Sequence, residues 1–474
     1  MNKQTHLKNK RLVLISNGEP YAHVEHDNKI VEKKLAGGLT TGLDPLMQEE
    51  KGLWIAWGRG EADFQVVNDD NKVKVPNKNG YTLKRIELSD EERDGFYYGF
   101  SNEILWPICH SFITKANFNP HHWKMYKWVN QKYARAANEE LRDDDLIWIH
   151  DYHLTLVPEL IKNKKPNTKI GYFWHIPWPS WEAFRTIPWK DEILNQMLAS
   201  DFIGFHTTNF VKNFMDCAEK LGAKLDRENN IIYKDGKKTK LAAVPLGIDY
   251  NRFSDIDHIN LEKKAKELKK NYNSEKLILG VDRLDYTKGI IKRLKAIDQL
   301  FTKYPQYKGE VTLVQRISPS RTEVDEYKEM RKEINQKIGA INGRHQEKDW
   351  VPIRYFHQFA PQDKLLPYYK AADIALITPL VDGMNLVSKE YIATQENGQL
   401  ILSEFAGAAS QLKEALHVNP YHINQVAETL HQALQMSSEK SNTRFNKLKD
   451  NVKKYDIHWW RDNFLNKWLN TYGD

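Results

Sequence analysis

Cysteine is scarce in this chain. There are two in 474 residues, Cys109 and Cys217, with no spacing that would assemble a metal site. That excludes a disulfide framework and a cysteine-ligated zinc fold, and it fits free thiols in a reducing compartment. Long apolar runs are missing as well. None reaches the roughly 18–20 residues needed to cross a bilayer. The N-terminus, MNKQTHLKNKR, is charged and runs straight into a five-residue apolar strand, so no signal peptide is visible. Neither sign of charge dominates. Seventy basic residues stand against 63 acidic ones, a formal net charge of +7, which favours anionic small molecules slightly and says little about nucleic acid. The lysines between 263 and 270 are accompanied by Glu262 and Glu267, the composition of a solvated helix face. Low-complexity tracts and short repeats are absent too. The expectation is a soluble, cytoplasmic protein with no nucleic-acid and no membrane partner. A homo-oligomer is compatible with the sequence, which does not fix the oligomeric state.

What is present is a sustained alternation of strands and helices. Apolar runs at 12–16, 53–57, 145–149, 169–174, 201–206 and 241–245 read as buried strands. Near 247 the pattern resets, and a polar, helix-prone stretch at 254–275 leads to a second series at 277–280, 311–314, 353–356, 374–377 and 400–403. Two such series in a chain of this length predict an α/β protein of two doubly wound, Rossmann-like domains, over 1–247 and 248–455. A last amphipathic helix is expected within 456–474.

The sequence VDRLDYTKG at 281–289 joins one of these strands to the helix whose apolar face is Ile290, Leu294, Ile297 and Phe301. Arg283 and Lys288 therefore lie beyond the carboxyl end of a strand and beside a helix N-terminus, where open α/β sheets bind ligands and an anion is favoured. Arginine grips a phosphate through two parallel hydrogen bonds, and lysine adds a point charge. Gly289 would let a phosphate approach the backbone. A second constellation, DGMNLVSKE at 382–390, opens another helix. Asp382 is placed to accept hydrogen bonds from sugar hydroxyls. Residues 383–386 offer helix N-terminal N–H groups to a diphosphate, and Glu390 suits the two hydroxyls of a ribose.

Other clusters follow strand ends. His150-Asp151-Tyr152-His153 contains a His-x-x-His pair without a third ligand at metal spacing, so a metal is not expected. Asp151 there fits a sugar hydroxyl. His175 opens the HIPWP segment. Aromatics at 96–106, with Tyr97 and Trp106 among them, fit either a core or the wall of a sugar site. The paired glycines Gly37 and Gly38 fit either a flexible turn or a loop that meets a ligand.

Taken in order, the segments SN at 16–17, AGGL at 36–39, FSNEILWP at 100–107, HDYHL at 150–154, HIPWP at 175–179, VDRLDYTKG at 281–289, SPSR at 318–321, DGMNLVSKE at 382–390 and SEFAGAA at 403–409 resemble the trehalose-6-phosphate synthases, the retaining glycosyltransferases of family 20. The resemblance spans nearly the whole chain. It implies two Rossmann-like domains facing each other across a cleft (the GT-B fold), the first for the acceptor and the second for the nucleotide sugar, with a terminal helix crossing back to the first. It implies transfer of glucose from UDP-glucose or a related nucleotide-glucose to glucose 6-phosphate, with no cofactor and no metal. Arg283 and Lys288 match the pair that binds the diphosphate, Asp382 the ligand of the donor glucose, and Glu390 the ribose ligand. Gly38, Asn385 and Leu386 match backbone contacts to the donor, and His175 matches a histidine beside the donor sugar. Tyr97, Trp106 and Arg321 match the pocket for the acceptor phosphate, and Asp151 an acceptor-sugar ligand.

The chain departs from the pattern at Gly18. The family's first motif normally reads Ser-Asn-Arg, and its arginine clamps the acceptor phosphate. Losing one charge-assisted contact of that kind costs on the order of 1.5–3 kcal/mol, or one to two decades in affinity. Three expectations are open: another cation such as His23, Lys33 or Lys34 substitutes, the acceptor differs, or the synthase is impaired. Glu19-Pro20-Tyr21 is also similar to the glucosylglycerol-phosphate synthases of the same family, and a cyclitol-phosphate pseudo-glycosyltransferase or a regulatory form are further alternatives. The intact set Arg283, Lys288, Asp382 and Glu390 argues against a silent subunit.

Overall fold

The computed structural model describes residues 10–35, 38–320 and 325–472. The chain forms two compact units, Met1–Pro245 together with His458–Asp474, and Leu246–Ile457. The sequence expectation put these junctions at 247 and 455. Arg321 lies outside the described residues. Among the described residues, no helix is long and apolar enough to cross a membrane.

The first unit is built on a ten-stranded sheet. Its first strand, Leu12–Gly18, has both faces buried and sits in the interior of the sheet. It pairs in parallel with Leu53–Trp57 on one side and Leu146–His150 on the other. Beyond Leu146–His150 follow Lys169–Phe173, Phe202–Phe205 and Lys237–Ala243, all parallel. Beyond Leu53–Trp57 comes Tyr81–Ile86, also parallel. Both-faced burial explains why these strands read as continuous apolar runs rather than alternating ones. The sheet is finished by antiparallel strands, Lys72–Val75 at one edge and Ile231–Lys234 with Lys224–Asp226 at the other. These edge strands are lysine-rich or short and went unpredicted, as did the hairpin of Tyr21–His26 and Lys29–Lys34.

The second unit carries a six-stranded, all-parallel sheet. Lys276–Arg283 lies in its middle, with Val311–Ser318 and Ile353–His357 on one side. Ile374–Ile377, Gln399–Ser403 and Leu416–Val418 lie on the other. In both units the chain winds outward on one side of the first strand, then returns and winds outward on the other. Each sheet thus has one point where the strand order reverses, and a crevice opens there beyond the carboxyl ends. In the first unit that point is flanked by Gly18 and His150, and in the second by Arg283 and Ile377.

The terminal helix, Ile457–Leu469, supplies core to the first unit. Trp460, Phe464 and Trp468 are fully buried. The Trp460 and Phe464 rings stack on Trp148 at 5.3 and 4.4 Å. Trp468 lies so close over Gly171 that no side chain fits there.

Candidate active site

In the second unit, Lys276–Arg283 ends at the exposed Arg283. A single short turn, Tyr286–Lys288, then joins it to the helix Ile290–Lys303. Asp285 shapes that turn, its Oδ1 accepting from the Thr287 N–H at 2.9 Å and from the Thr287 hydroxyl at 2.8 Å. Gly289 closes it with φ +66°. A Cβ at 289 would drive into the Thr378 carbonyl, so the glycine answers a close backbone approach within the protein. The close approach expected of a phosphate at Gly289 is thus made by the Thr378 carbonyl. Beneath the turn, Arg293 is buried among the apolar residues of its helix. Its guanidinium pairs with Asp282, bonds Gln315 Oε1 at 3.0 Å and Thr378 Oγ1 at 3.1 Å, and donates to the Lys288 carbonyl at 3.4 Å. Arg293 therefore fixes the backbone that presents Lys288. A lone arginine on an apolar helix face was the signal that could have revealed it.

Lys288 reaches across to the next strand's loop, where its Nζ meets Asp382 Oδ2 at 2.7 Å. Both side chains are nearly buried, 11% and 14% exposed. The Asp382 loop is held from the far side. Asp382 N–H donates to the Phe405 carbonyl at 3.2 Å, and the Gly407 N–H donates to the Asp382 carbonyl at 3.0 Å. The SEFAGAA segment thus clamps the loop. Asn385, at φ +79°, caps the helix Leu386–Thr394 by accepting from the Ser388 N–H at 3.1 Å. Its amide donates to Asp382 Oδ2 at 3.1 Å. Two donors thus converge on one oxygen of Asp382. Along the same helix, Glu390 Oε2 accepts from the Tyr369 hydroxyl at 2.7 Å. Burial raises the Glu390 pKa above the ordinary carboxyl value, and the Tyr369 hydrogen bond works against that rise. The neighbouring Lys389 is buried, with Nζ on the Leu246 carbonyl at 2.7 Å and Gln411 Oε1 at 2.6 Å. Desolvation brings its pKa down to about 7.

The first unit gathers the other set. Asp151 follows Leu146–His150 with φ +72°, an unusual conformation for an aspartate. It is held by its N–H on the Phe173 carbonyl at 2.8 Å and by the Tyr172 hydroxyl on its own carbonyl at 2.6 Å. Asp151 Oδ1 accepts from the His175 N–H at 3.3 Å. The His175 ring lies 3.1 Å from His150, Nε2 to Nδ1, and the His206 Nε2–H donates to the His175 carbonyl at 3.0 Å. Burial drives the pKa of His150 down to about 3. His175 is lowered well below its ordinary value, first by burial and then by the neighbouring histidines. Both rings are neutral at pH 7. His150 and His153 do not converge: the first stacks near His175 and Trp460, the second on Tyr97.

The aromatic segment divides between the two roles left open. Within the wide-turned helix Asp94–Leu105, Phe96 and Phe100 are core, and Tyr97 is half-buried. Tyr97 stacks on His153 at 5.7 Å, His153 touches Tyr152 at 4.0 Å, and Tyr152 meets Trp106 at 5.9 Å. Tyr97, Trp106 and Asp151 are thereby linked in one patch. Gly18 joins it through the sheet register, which pairs it with Trp57, whose ring lies 5.8 Å from Tyr97. Beside Gly18 stands Arg59, which the sequence reading did not single out. The other cations near this end of the chain are engaged differently, although His23 borders the Arg59–Gly60 loop. Lys34 is paired with Asp44 at 2.5 Å, and Lys33 lies on the exposed hairpin. His23 is 2.8 Å from Arg85 and is lowered by burial and by that charge. Gly38 begins the helix Gly38–Glu50.

A model of glycosyltransferase family 20 matches residues 10–470. The UDP-forming alpha,alpha-trehalose-phosphate synthase of Candida albicans is 37% identical over 465 residues, covering 96% of each chain. The 56 kDa subunit of the enzyme of that name from Saccharomyces cerevisiae is 36% identical over 446 residues, 92% of this chain and 89% of its own. Among solved structures, one from E. coli bound with UDP-2-fluoro glucose superposes with a TM-score of 0.88 at 34% identity, covering 97% of this chain and 99% of that one. The UDP-forming synthase of Burkholderia xenovorans in complex with glucose-6-phosphate gives a TM-score of 0.85 at 32% identity, with 97% and 100% covered.

Proposed function

Because the chain belongs to glycosyltransferase family 20, we propose that it moves glucose from UDP-glucose to glucose 6-phosphate, giving α,α-trehalose 6-phosphate and UDP. The relatives named above carry that activity in their names, and two of the similar structures hold a UDP-sugar and glucose-6-phosphate. The observation in this chain that carries the reading is the 2.7 Å pair of Lys288 and Asp382. A cation suited to a diphosphate and a carboxylate suited to sugar hydroxyls stand side by side at a strand-order reversal. A nucleotide sugar presents those two chemistries on adjacent atoms.

In this reading Arg283 and Lys288 bind the diphosphate and take up its growing charge as the bond to the anomeric carbon breaks, which is electrostatic stabilisation of a leaving group. Asp382 and Asn385 hold the glucose, and the backbones of Leu386 and Gly38 are assigned to the donor. Glu390, kept in place by Tyr369, receives the ribose hydroxyls. We assign His175 to a hydroxyl of the transferred sugar, where a neutral imidazole serves as a hydrogen-bonding group. Asp151, Tyr97, Trp106 and Arg321 are assigned to the sugar phosphate. The acceptor's anomeric oxygen forms the new bond to the anomeric carbon. Its proton passes to the departing diphosphate oxygen on the same face, so configuration is retained.

The test is UDP release from UDP-glucose with glucose 6-phosphate or glycerol 3-phosphate as acceptor, with the product's anomeric configuration read by NMR. Release dependent on glucose 6-phosphate with an α,α product is expected. A preference for glycerol 3-phosphate, or an inverted product, overturns the reading.

A further inference from the structure

Gly18 ends its strand opposite Trp57, and two residues past Trp57 the chain turns Arg59 back over it. A Cβ built on Gly18 would stand 3.6 Å from Arg59 Nη2 and 3.8 Å from Cζ. The guanidinium thus occupies the space into which a side chain at 18 would grow. It lies on an aromatic bed, with Cζ 4.9 Å from the Trp57 ring centroid and 5.7 Å from that of Tyr97. Stacking of this kind orients a guanidinium while leaving its edge donors open.

The loop beneath is fixed from several sides. The Arg59 N–H donates to Glu19 Oε1 at 2.7 Å, and the Gly60 N–H donates to Asp63 Oδ2 at 2.6 Å. The Glu19 carboxyl is committed further, its Oε2 bonded to the buried Arg85 at 2.9 Å. The acids nearest Arg59 therefore face Arg85 and the backbone. Among the described residues none accepts a hydrogen bond from the Arg59 guanidinium, and its side chain is exposed. Five N–H donors in a fixed fork, held on aromatic rings without a carboxylate, match the oxygens of a phosphate.

We propose that Arg59 is the phosphate-gripping residue of the acceptor subsite, laid over Gly18 and oriented by Trp57 and Tyr97. The proposal rests on the transferase reading above and names the group that selects a phosphorylated acceptor. Gly18 is then the room the Arg59 side chain needs, and the arginine has moved from one strand end to its neighbour across the sheet. An arginine restored at 18 would collide with Arg59 and set like charges together.

The experiment measures KM and kcat for glucose 6-phosphate, glycerol 3-phosphate and glucose in the unaltered protein, Arg59→Gln, Arg59→Lys, Gly18→Arg and the double variant Gly18→Arg/Arg59→Gly. Arg59→Gln should raise KM for glucose 6-phosphate by about 10- to 100-fold, leaving the KM for UDP-glucose unmoved and narrowing the ratio of glucose 6-phosphate to glucose use. Arg59→Lys should fall between. Gly18→Arg alone should impair the enzyme, and the double variant should recover most of the phosphate preference. An unchanged KM in Arg59→Gln, with the unaltered enzyme using glucose 6-phosphate, overturns the Arg59 assignment and leaves the transferase reading intact. Should the unaltered enzyme prefer glycerol 3-phosphate, the glucose 6-phosphate reading falls while the chain remains a family-20 transferase. The Arg59 assignment then stands only if Arg59→Gln weakens glycerol 3-phosphate by the same factor.

Discussion

Lys288 and Asp382, 94 residues apart in sequence, meet at 2.7 Å because adjacent parallel strands deliver their loops to the same edge of the second sheet. Asp382→Asn removes the proposed sugar ligand and weakens the pairing with Lys288. Turnover should fall by about 10²–10³, while UDP itself binds as well as before or better. Steady-state rates and calorimetric UDP titration read the two effects separately. Weakened UDP binding together with normal turnover would contradict the division of roles.

Lys288→Ala and Asp382→Asn act on one unit, so their costs should not add. The double variant is expected within about tenfold of the slower single one, as for other catalytic groups that work together. Fully multiplicative losses would mean the pair is incidental.

Arg283→Ala should collapse turnover by about 10²–10³ through loss of charge stabilisation at the leaving diphosphate. The side chain is exposed at its strand end, so the variant should still fold and melt cooperatively. Near-normal rates would remove Arg283 from the mechanism.

Gly289→Ala tests the fold rather than the chemistry. Its φ of +66° and the Thr378 carbonyl both oppose a Cβ. A destabilisation of about 2 kcal/mol or more, or insoluble protein, is expected. Wild-type melting would show that the turn relaxes easily.

The buried His150 sets an acid limit. Its ordinary pKa of 6.5 drops to about 3 in the fold through desolvation. Below 6.5 the unfolded chain takes up a proton that the folded one refuses. The stability is therefore fully present above pH 6.5 and drains as pH falls toward 3, at about 1.4 kcal/mol per pH unit. His175, lowered in the same direction, adds to the slope. Melting temperature should decline from pH 7 to pH 5, and His150→Phe should decline less steeply. Parallel curves for the two proteins would place the acid sensitivity elsewhere.

The strands at 53–57 and 374–377 were legible to the residue, because a parallel strand buried on both faces writes its burial directly into the sequence. The positions of Arg283, Lys288 and Asp382 at or beyond strand ends were legible too. The pairing of Lys288 with Asp382 was not, since local pattern carries no strand order. Arg59 escaped for the same reason: its partner Gly18 is 41 positions away in sequence and becomes a neighbour only through the register of Gly18 with Trp57. The edge strands and hairpin, polar and half-solvated, carried too little periodicity to be read.

The terminal helix gives the first unit a late birth. Trp460, Phe464 and Trp468 complete a core whose first strand begins at Leu12. On the ribosome the second unit, Leu246–Ile457, emerges whole while the first still lacks its last wall. Until residues 458–469 appear, Trp148 and Gly171 present an uncovered apolar face. A premature stop near residue 457 would spare the second unit's sequence and leave the first one sticky, a natural target for chaperones and proteases.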